Sequence, residues 1–162
     1  MLSTGAKAIA AGGFHSMVLK KDGTVWAMGD NEYGQLGDGS TTARNSMSQV
    51  PMNFMQSHGS SVKAIAAGFL HSMVLEEDGT VWATGRNDYG QLGDGSKISK
   101  NLIVQVSTGA QAVAAGGWHS MVLKYDGSFW ATGANNKGQL GDGSAIDKSS
   151  FIRVTQTSAN GP

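Results

Sequence analysis

Apolar positions along this chain come in short bursts, and the same bursts return three times. "HSMVL" opens at His15, His71 and His119, and a second burst follows each: "TVWAM", "TVWAT" and "SFWAT". Between them stand "KKDG", "EEDG" and "KYDG", and an Asp-Gly pair favours a two-residue hairpin turn. Ahead of each pair lies a small-residue run ending on glycine, "KAIAAG" twice and then "QAVAAG". Behind each comes "GQLGDGS", at 34–40, 90–96 and 138–144, and then a weaker alternating run, "MSQV", "LIVQV" or "FIRV". No window combines a 3.6-residue period with helix caps. The pattern predicts an all-β chain in which each repeat is a meander of three or four antiparallel strands.

The marker histidines place the repeats at 6–61, 62–109 and 110–157, the first with a longer tail, "TTARNSMSQVPMNFMQSHGSS". A sheet this small exposes both faces and cannot bury a core alone, so the repeats must stack on one another. About 50 residues and four strands per unit describe propeller blades better than helical solenoids.

The recurring string "AAGG-H-S-VL--DG-VWA-G-N--GQLGDGS" resembles the repeat of the regulator of chromosome condensation superfamily. The likeness spans nearly the whole chain. It implies β-propeller blades, three per chain, where full members of that family resemble seven-bladed rings. Three blades cannot close a ring. "LSTGAKAIAAG" at the start matches "VSTGAQAVAAG" at 106–116, and "FIRVTQTSANG" stops close to where a fourth "AIAAG" would begin. The expectation is a homodimer, two chains pairing head-to-tail into a six-bladed ring, with a fragment of a longer propeller as the rival.

Composition narrows the partners. Lys plus Arg and Asp plus Glu number 12 each, a poor electrostatic footprint for a nucleic-acid binder. Twenty-four glycines beside 2 prolines argue for many tight turns. There is no cysteine, hence no disulfide and no thiolate metal site. No stretch approaches the roughly 20 apolar residues that span a bilayer, and "MLSTGAKAIAAGG" does not read as a signal peptide. No nucleic acid, no membrane and a cytoplasmic location are therefore expected.

Candidate chemistry is sparse. A phosphate-cradling glycine loop needs a following helix, and the run after "GQLGDGS" is strand-like. A calcium loop fails for want of a twelfth-position glutamate. The loop is read as turn hardware with positive φ at Gly37 and Gly39. His15, His71 and His119 are read as structural donors that tie blades together, not as zinc ligands. Ser16, Ser72 and Ser120 lack a nucleophile-elbow setting. Trp26, Trp82 and Trp130 fit packing between blades. No catalytic residue, cofactor or metal is expected, and the protein is not expected to be an enzyme.

Positions where the repeats disagree are more informative, because packing should force equivalent positions alike. In a meander, successive connections emerge on opposite faces. The loops after "AAG" and after "WAxG" therefore share one face, carrying Phe14, Asp30, Glu32, Tyr33, Leu70, Arg86, Asp88, Tyr89, Trp118, Asn135 and Lys137. Aromatic, arginine and acidic residues together suit the anchors and rim of a protein interface. The hairpins on the other face gather Lys20, Lys21, Glu76, Glu77, Lys124 and Tyr125, read as a solvated rim. Met47, Met52, Phe54 and Met55 mark the long first tail as a second adaptable surface or a cover for a blade edge, and His58, a lone loop histidine, carries no functional weight.

The functional expectation is a non-catalytic scaffold that presents one loop face to an unidentified protein partner. A lectin-like propeller with one aromatic site per blade is the alternative, which Tyr33 and Tyr89 support and Lys137 breaks. The resemblance also brings in a guanine-nucleotide exchange regulator, but no basic tail or wedge-like insertion of that kind stands here. A photoreceptor needs "GWRHT", and this chain has "GFHS", "FLHS" and "GWHS". A purely structural role is the remaining reading.

Overall fold

A computed structural model describes residues 5–52 and 59–155, so Phe54, Met55 and His58 lie outside the described residues. Three four-stranded antiparallel sheets follow one another along the chain. The first holds β1 (Ala6–Ala11), β2 (His15–Lys20), β3 (Val25–Gly29) and β4 (Arg44–Gln49). The second holds β5 (Val62–Ala67), β6 (His71–Glu76), β7 (Val81–Gly85) and β8 (Lys100–Ser107). The third holds β9 (Ala110–Ala115), β10 (His119–Lys124), β11 (Phe129–Gly133) and β12 (Lys148–Arg153). Within each sheet the strand order is the chain order, so every sheet is a meander and every repeat a blade. The chain is an arc of three propeller blades with β1, β5 and β9 innermost.

The hairpins join their strands by a slightly different turn from the one expected. Lys20 N donates to Thr24 O at 2.9 Å and Gly23 N to Lys20 O at 3.0 Å, which leaves three residues in the loop. Only glycines take positive φ among the described residues, so Gly23 alone adopts the left-handed conformation, at +84°. A two-residue mirror-image turn would force Asp22 there as well, which is costly for any residue with a Cβ. Asp22 Oδ1 instead accepts from Thr24 N at 3.0 Å and Thr24 Oγ1 at 2.6 Å.

Alternation along the strands builds the core between blades, not within them. Met17, Leu19, Val25, Ala27 and Leu36 of the first blade pack on Val74, Trp82 and Ile103 of the second. Met73, Leu75, Val81, Ala83 and Leu92 of the second pack with Val122, and with half-buried Phe151, of the third. Each fully buried side chain of this size contributes about 1.5–3 kcal/mol, so neither blade of a pair could keep this apolar face dry alone. Met52 is half-buried against the first of these cores, and Met47 stands exposed on β4.

Candidate interaction face

Each "GQLGDGS" loop hangs from one buried asparagine. Asn31 Nδ2 donates to Asp38 Oδ1 at 3.2 Å, to Ser40 O at 3.1 Å and to Thr42 O at 3.1 Å. Its Oδ1 accepts from Leu36 N at 3.0 Å. Asn87 and Asn135 repeat the pattern, with Asp94 at 3.0 Å and Asp142 at 2.9 Å. Gly37 and Gly39 take φ of +68° and +83°, as the turn reading requires. Burial opposes ionisation of Asp38, but hydrogen bonds from Ser40, Arg44 and Asn31 outweigh it and hold the carboxyl below its ordinary range.

The loop does more than turn the chain toward its outer strand. Gly39 N donates to Asn101 O of the next blade at 2.9 Å, and Gly95 N to Ser149 O at 2.8 Å. A methyl group on Gly90 would overlap Ser149 Cα and come within 2.6 Å of Lys148 O. The loop is a clamp between neighbouring blades, which requires contact at glycine distance.

The histidines complete the same junction. His15 Nε2 lies 2.8 Å from Ser72 Oγ on the next blade, and His71 Nε2 lies 2.9 Å from Ser120 Oγ. Both serine hydroxyls donate to backbone carbonyls, Ser72 to Gln35 O and Ser120 to Gln91 O, each at 2.7 Å. A serine has one proton to give, so the imidazole Nε2 must be the donor in each pair. Nδ1 of both rings lacks a hydrogen-bond partner among the described residues, as suits a neutral imidazole. Burial lowers His15 to about 4 and His71 to about 3, because a second ring proton would be stranded in the core. Ser72 and Ser120 are thus relay hydroxyls.

On the loop face, four rings and a guanidinium form a continuous stripe across all three blades. Phe14 meets Phe69 edge-on with centroids 5.2 Å apart, and Phe69 meets Trp118 at 4.9 Å. Tyr89 lies 5.8 Å from Trp118. The Arg86 guanidinium sits between Trp118, at 4.9 Å, and a fifth ring, Tyr33, at 4.7 Å. Arg86 Nε donates to Asp88 Oδ2 at 2.6 Å. Burial pulls the Arg86 pKa down, but this bond and the Asp88 charge prevail and raise it. Phe14 is 63% exposed, and Phe69 and Tyr89 are each 37% exposed. Single exposed apolar residues are ordinary, but a contiguous aromatic stripe on a loop face is not.

Of the expected face residues, Phe14, Tyr33, Arg86, Asp88, Tyr89 and Trp118 come together. Asp30 stands beside them with Oδ2 accepting from Gln35 Nε2 at 2.7 Å, and Glu32 is exposed on the same loop. Lys137 is exposed, with its backbone N bonded to Gln139 Oε1.

Two expectations are corrected. Leu70 is only 6% exposed and points inward. Phe69, one residue earlier, takes the place on the face. It occupies a slot that is Gly13 in the first blade and Gly117 in the third, and its ring lies over Gly13, where a Cβ would come within 2.7 Å. Asn135 is fully buried as a loop pin, and Asn136 is the exposed residue at the position of Glu32 and Asp88. Asparagine at 31, 87 and 135 alike was the sign of its structural use, just as phenylalanine among glycines was the sign of Phe69.

The hairpin face holds a third departure. Glu76 is buried and accepts from Trp82 Nε1 at 2.9 Å, whereas Lys20 and Lys124 lie over the rings of Trp26 and Trp130. Trp82 is covered by the preceding blade, which excludes a solvated lysine there.

Stacked four-stranded meanders with their core between them define a β-propeller protein. Comparison with known sequences assigns the family: the regulator of chromosome condensation (RCC1) repeat matches residues 22–75 and 78–123, and a second model of that repeat matches 6–35 and 62–91. The chain belongs to the RCC1 repeat family.

Among curated relatives, the human "Probable E3 ubiquitin-protein ligase HERC4" is 38% identical over 85 residues, 52% of this chain and 8% of that protein. The Caenorhabditis elegans X-linked retinitis pigmentosa GTPase regulator homolog is 37% identical over 92 residues, 57% of this chain and 6% of that protein. Human WBSCR16 superposes with a TM-score of 0.83 at 26% identity, covering 96% of this chain and 42% of that one. Prp20p of Saccharomyces cerevisiae superposes with a TM-score of 0.79 at 25% identity, covering 95% and 39%. This chain thus spans under a tenth of those curated relatives and about two fifths of the solved ones.

Proposed function

We propose that this chain is a non-catalytic scaffold that binds a protein partner through the stripe of Phe14, Tyr33, Phe69, Arg86, Tyr89 and Trp118. The observation that carries the reading is the continuity of these rings across three blades around one arginine. Aromatic residues and arginine are the groups that dominate binding energy at protein interfaces. Relatives with this fold take protein partners: yeast RCC1 (Prp20) has been solved bound to Kap60, and Prp20p has been studied for binding to Gsp1p and histones.

The test is selection of random dodecamer peptides on the immobilised chain. Clones should lose at least tenfold in affinity on a Phe14→Ser, Phe69→Ser, Trp118→Ser variant. A glycan array with specific hits and no selectable peptide would favour the lectin reading instead.

The same scaffold assembles, in this reading, with a second copy of itself. The outward face of the third blade leaves Met121 and Leu123 half-buried and Phe129 exposed, the counterparts of residues buried in both inner junctions. The outward face of the first blade exposes Ile9 (79%) and Met47, the counterparts of Ile65 and Ile103 in the first junction. Each end therefore offers the half-junction that the other lacks, and two chains meeting head-to-tail would close both. Light scattering should report twice 16.8 kDa. A monodisperse monomer at micromolar concentration would end the dimer reading and leave the loop face untouched.

A further inference from the structure

Arg86 stands where the first blade supplies an acceptor for its buried glutamine. The structurally equivalent residue is Asp30 in the first blade and Ala134 in the third. In the first blade both ends of Gln35 are engaged: Oε1 accepts from Tyr33 N at 3.0 Å, and Nε2 donates to Asp30 Oδ2 at 2.7 Å. In the second blade Gln91 Oε1 accepts from Tyr89 N at 3.0 Å in the same way. Its Nε2 finds no acceptor among the described residues, although the side chain is fully buried. An arginine in place of the aspartate has removed the carboxylate and added a second donor.

Arg86 is itself only partly engaged. Its Nε donates to Asp88, and no described group of this chain accepts from the terminal nitrogens. Tyr33 and Trp118 hold the guanidinium from its two sides, so little rotamer freedom is left to lose on binding. A guanidinium whose terminal nitrogens are unengaged, set among rings on an exposed face, is suited to bind an anionic group.

We propose that Arg86, clamped between Tyr33 of the first blade and Trp118 of the third, anchors an aspartate or glutamate side chain of the partner. The contact is to the terminal nitrogens of Arg86, while Gln91 Nε2 lies sealed beneath the surface. Two parallel N–H···O bonds to a carboxylate suit the terminal edge of a guanidinium, and Asp88 on Nε leaves that edge as the line of approach. Asp88 on Arg86, and Asp30 and Glu32 on the first-blade loop of the same face, favour a single carboxylate over an acidic tract. Phe14 and Phe69 lie along the same stripe and suit apolar residues flanking the acidic one. The inference rests on the loop face being the interaction surface, and it names the chemistry read there.

The experiment uses the peptides selected on the wild-type chain and compares them on Arg86→Asp and Arg86→Lys. Selected peptides should carry one Asp or Glu between apolar residues, and changing it to Asn or Gln should weaken binding at least tenfold. C-terminally amidated versions should bind as well, which separates a side-chain carboxylate from the chain terminus. Arg86→Asp should abolish the preference for the acidic peptide, and Arg86→Lys should lose most of it. With no peptide present, Arg86→Asp should raise the thermal midpoint by about 2–4 °C, because Gln91 regains the bond that Gln35 makes.

Peptides without an acidic residue that bind wild type and Arg86→Asp within threefold of each other would overturn the proposal while the aromatic face stands. A library from which nothing is selected on the wild-type chain would sink both readings together. An unchanged or lowered midpoint for Arg86→Asp would remove the structural premise on its own.

Discussion

The inner blade junctions and the outward face of the third blade are built from the same residues and meet different surroundings. At the first junction His15 reaches Ser72, Gly34 presses on Asn101, and Leu19 and Val25 are sealed from water. At the outward face His119 and Leu123 are only half-buried, Phe129 is 37% exposed, and Gly138 has no atom within 4 Å of a would-be Cβ. Local sequence is nearly constant between them, so the difference isolates what a neighbouring blade contributes. A propeller repeat is half of two interfaces, and its stability belongs to the pair.

The strongest test of that comparison is a pair of alanines in the clamp loop. Gly90 and Gly138 have similar backbone, φ of +80° and +71°, so the cost of a Cβ at positive φ cancels between them. Gly90→Ala should destabilise the chain by about 3–5 kcal/mol, because its methyl meets the backbone of the next blade. Gly138→Ala should cost only about 1–2 kcal/mol in denaturant titrations of a monomer. Equal losses at the two sites, with a concentration-dependent midpoint, would show that a second copy covers Gly138.

The relay provides the next test. His71→Ala removes a buried ring and its bond to Ser120, and should cost about 2–3 kcal/mol. His119→Ala should cost under about 1 kcal/mol in a monomer, because its ring has no following serine to meet. Urea midpoints of both variants, measured at two protein concentrations, distinguish a closed junction from an open one.

Acid should act on the inner junctions first. His15 and His71 ionise near 4 and 3 in the folded chain and near 6.5 when unfolded, so the unfolded state binds more protons below pH 6.5. Their contribution is complete above pH 6.5 and is lost as pH falls toward those folded values. The initial loss should approach about 1.4 kcal/mol per pH unit for each buried histidine. Urea unfolding across pH 7 to 5 should show this slope, and His71→Gln should flatten it; a pH-independent midpoint would contradict the buried neutral relay. The smallest effect is expected on the hairpin face, where Lys21→Ala should change stability by less than about 0.5 kcal/mol.

Much of this was legible in the residues. Threefold recurrence of "HSMVL" and "VWA", with "SFWAT" in the third copy, located the inner hairpins, and the glycines of "GQLGDGS" announced positive φ, because only glycine takes that backbone without strain. Parity of the meander by itself places Phe14, Arg86 and Trp118 on one face. What escaped were one-residue offsets. Phe69 was hidden behind Leu70 because its place depends on Gly13 of another blade, and Asn135 was mistaken for Asn136 because both are polar in a polar loop. Glu76 looked solvated because a charge on a hairpin usually is, and only the neighbouring blade buries it against Trp82.

The sequence by itself determined the strand order, the number of blades and which loops share a face. These follow from alternation and turn chemistry, which act over a few residues. Only the tertiary structure decided that the glycine loop clamps the next blade, that Ser72 and Ser120 serve histidines 57 and 49 residues away, and that Gln91 Nε2 has no acceptor among the described residues. Those are contacts between repeats, and a pattern read along one strand carries no information about the distance to the next sheet.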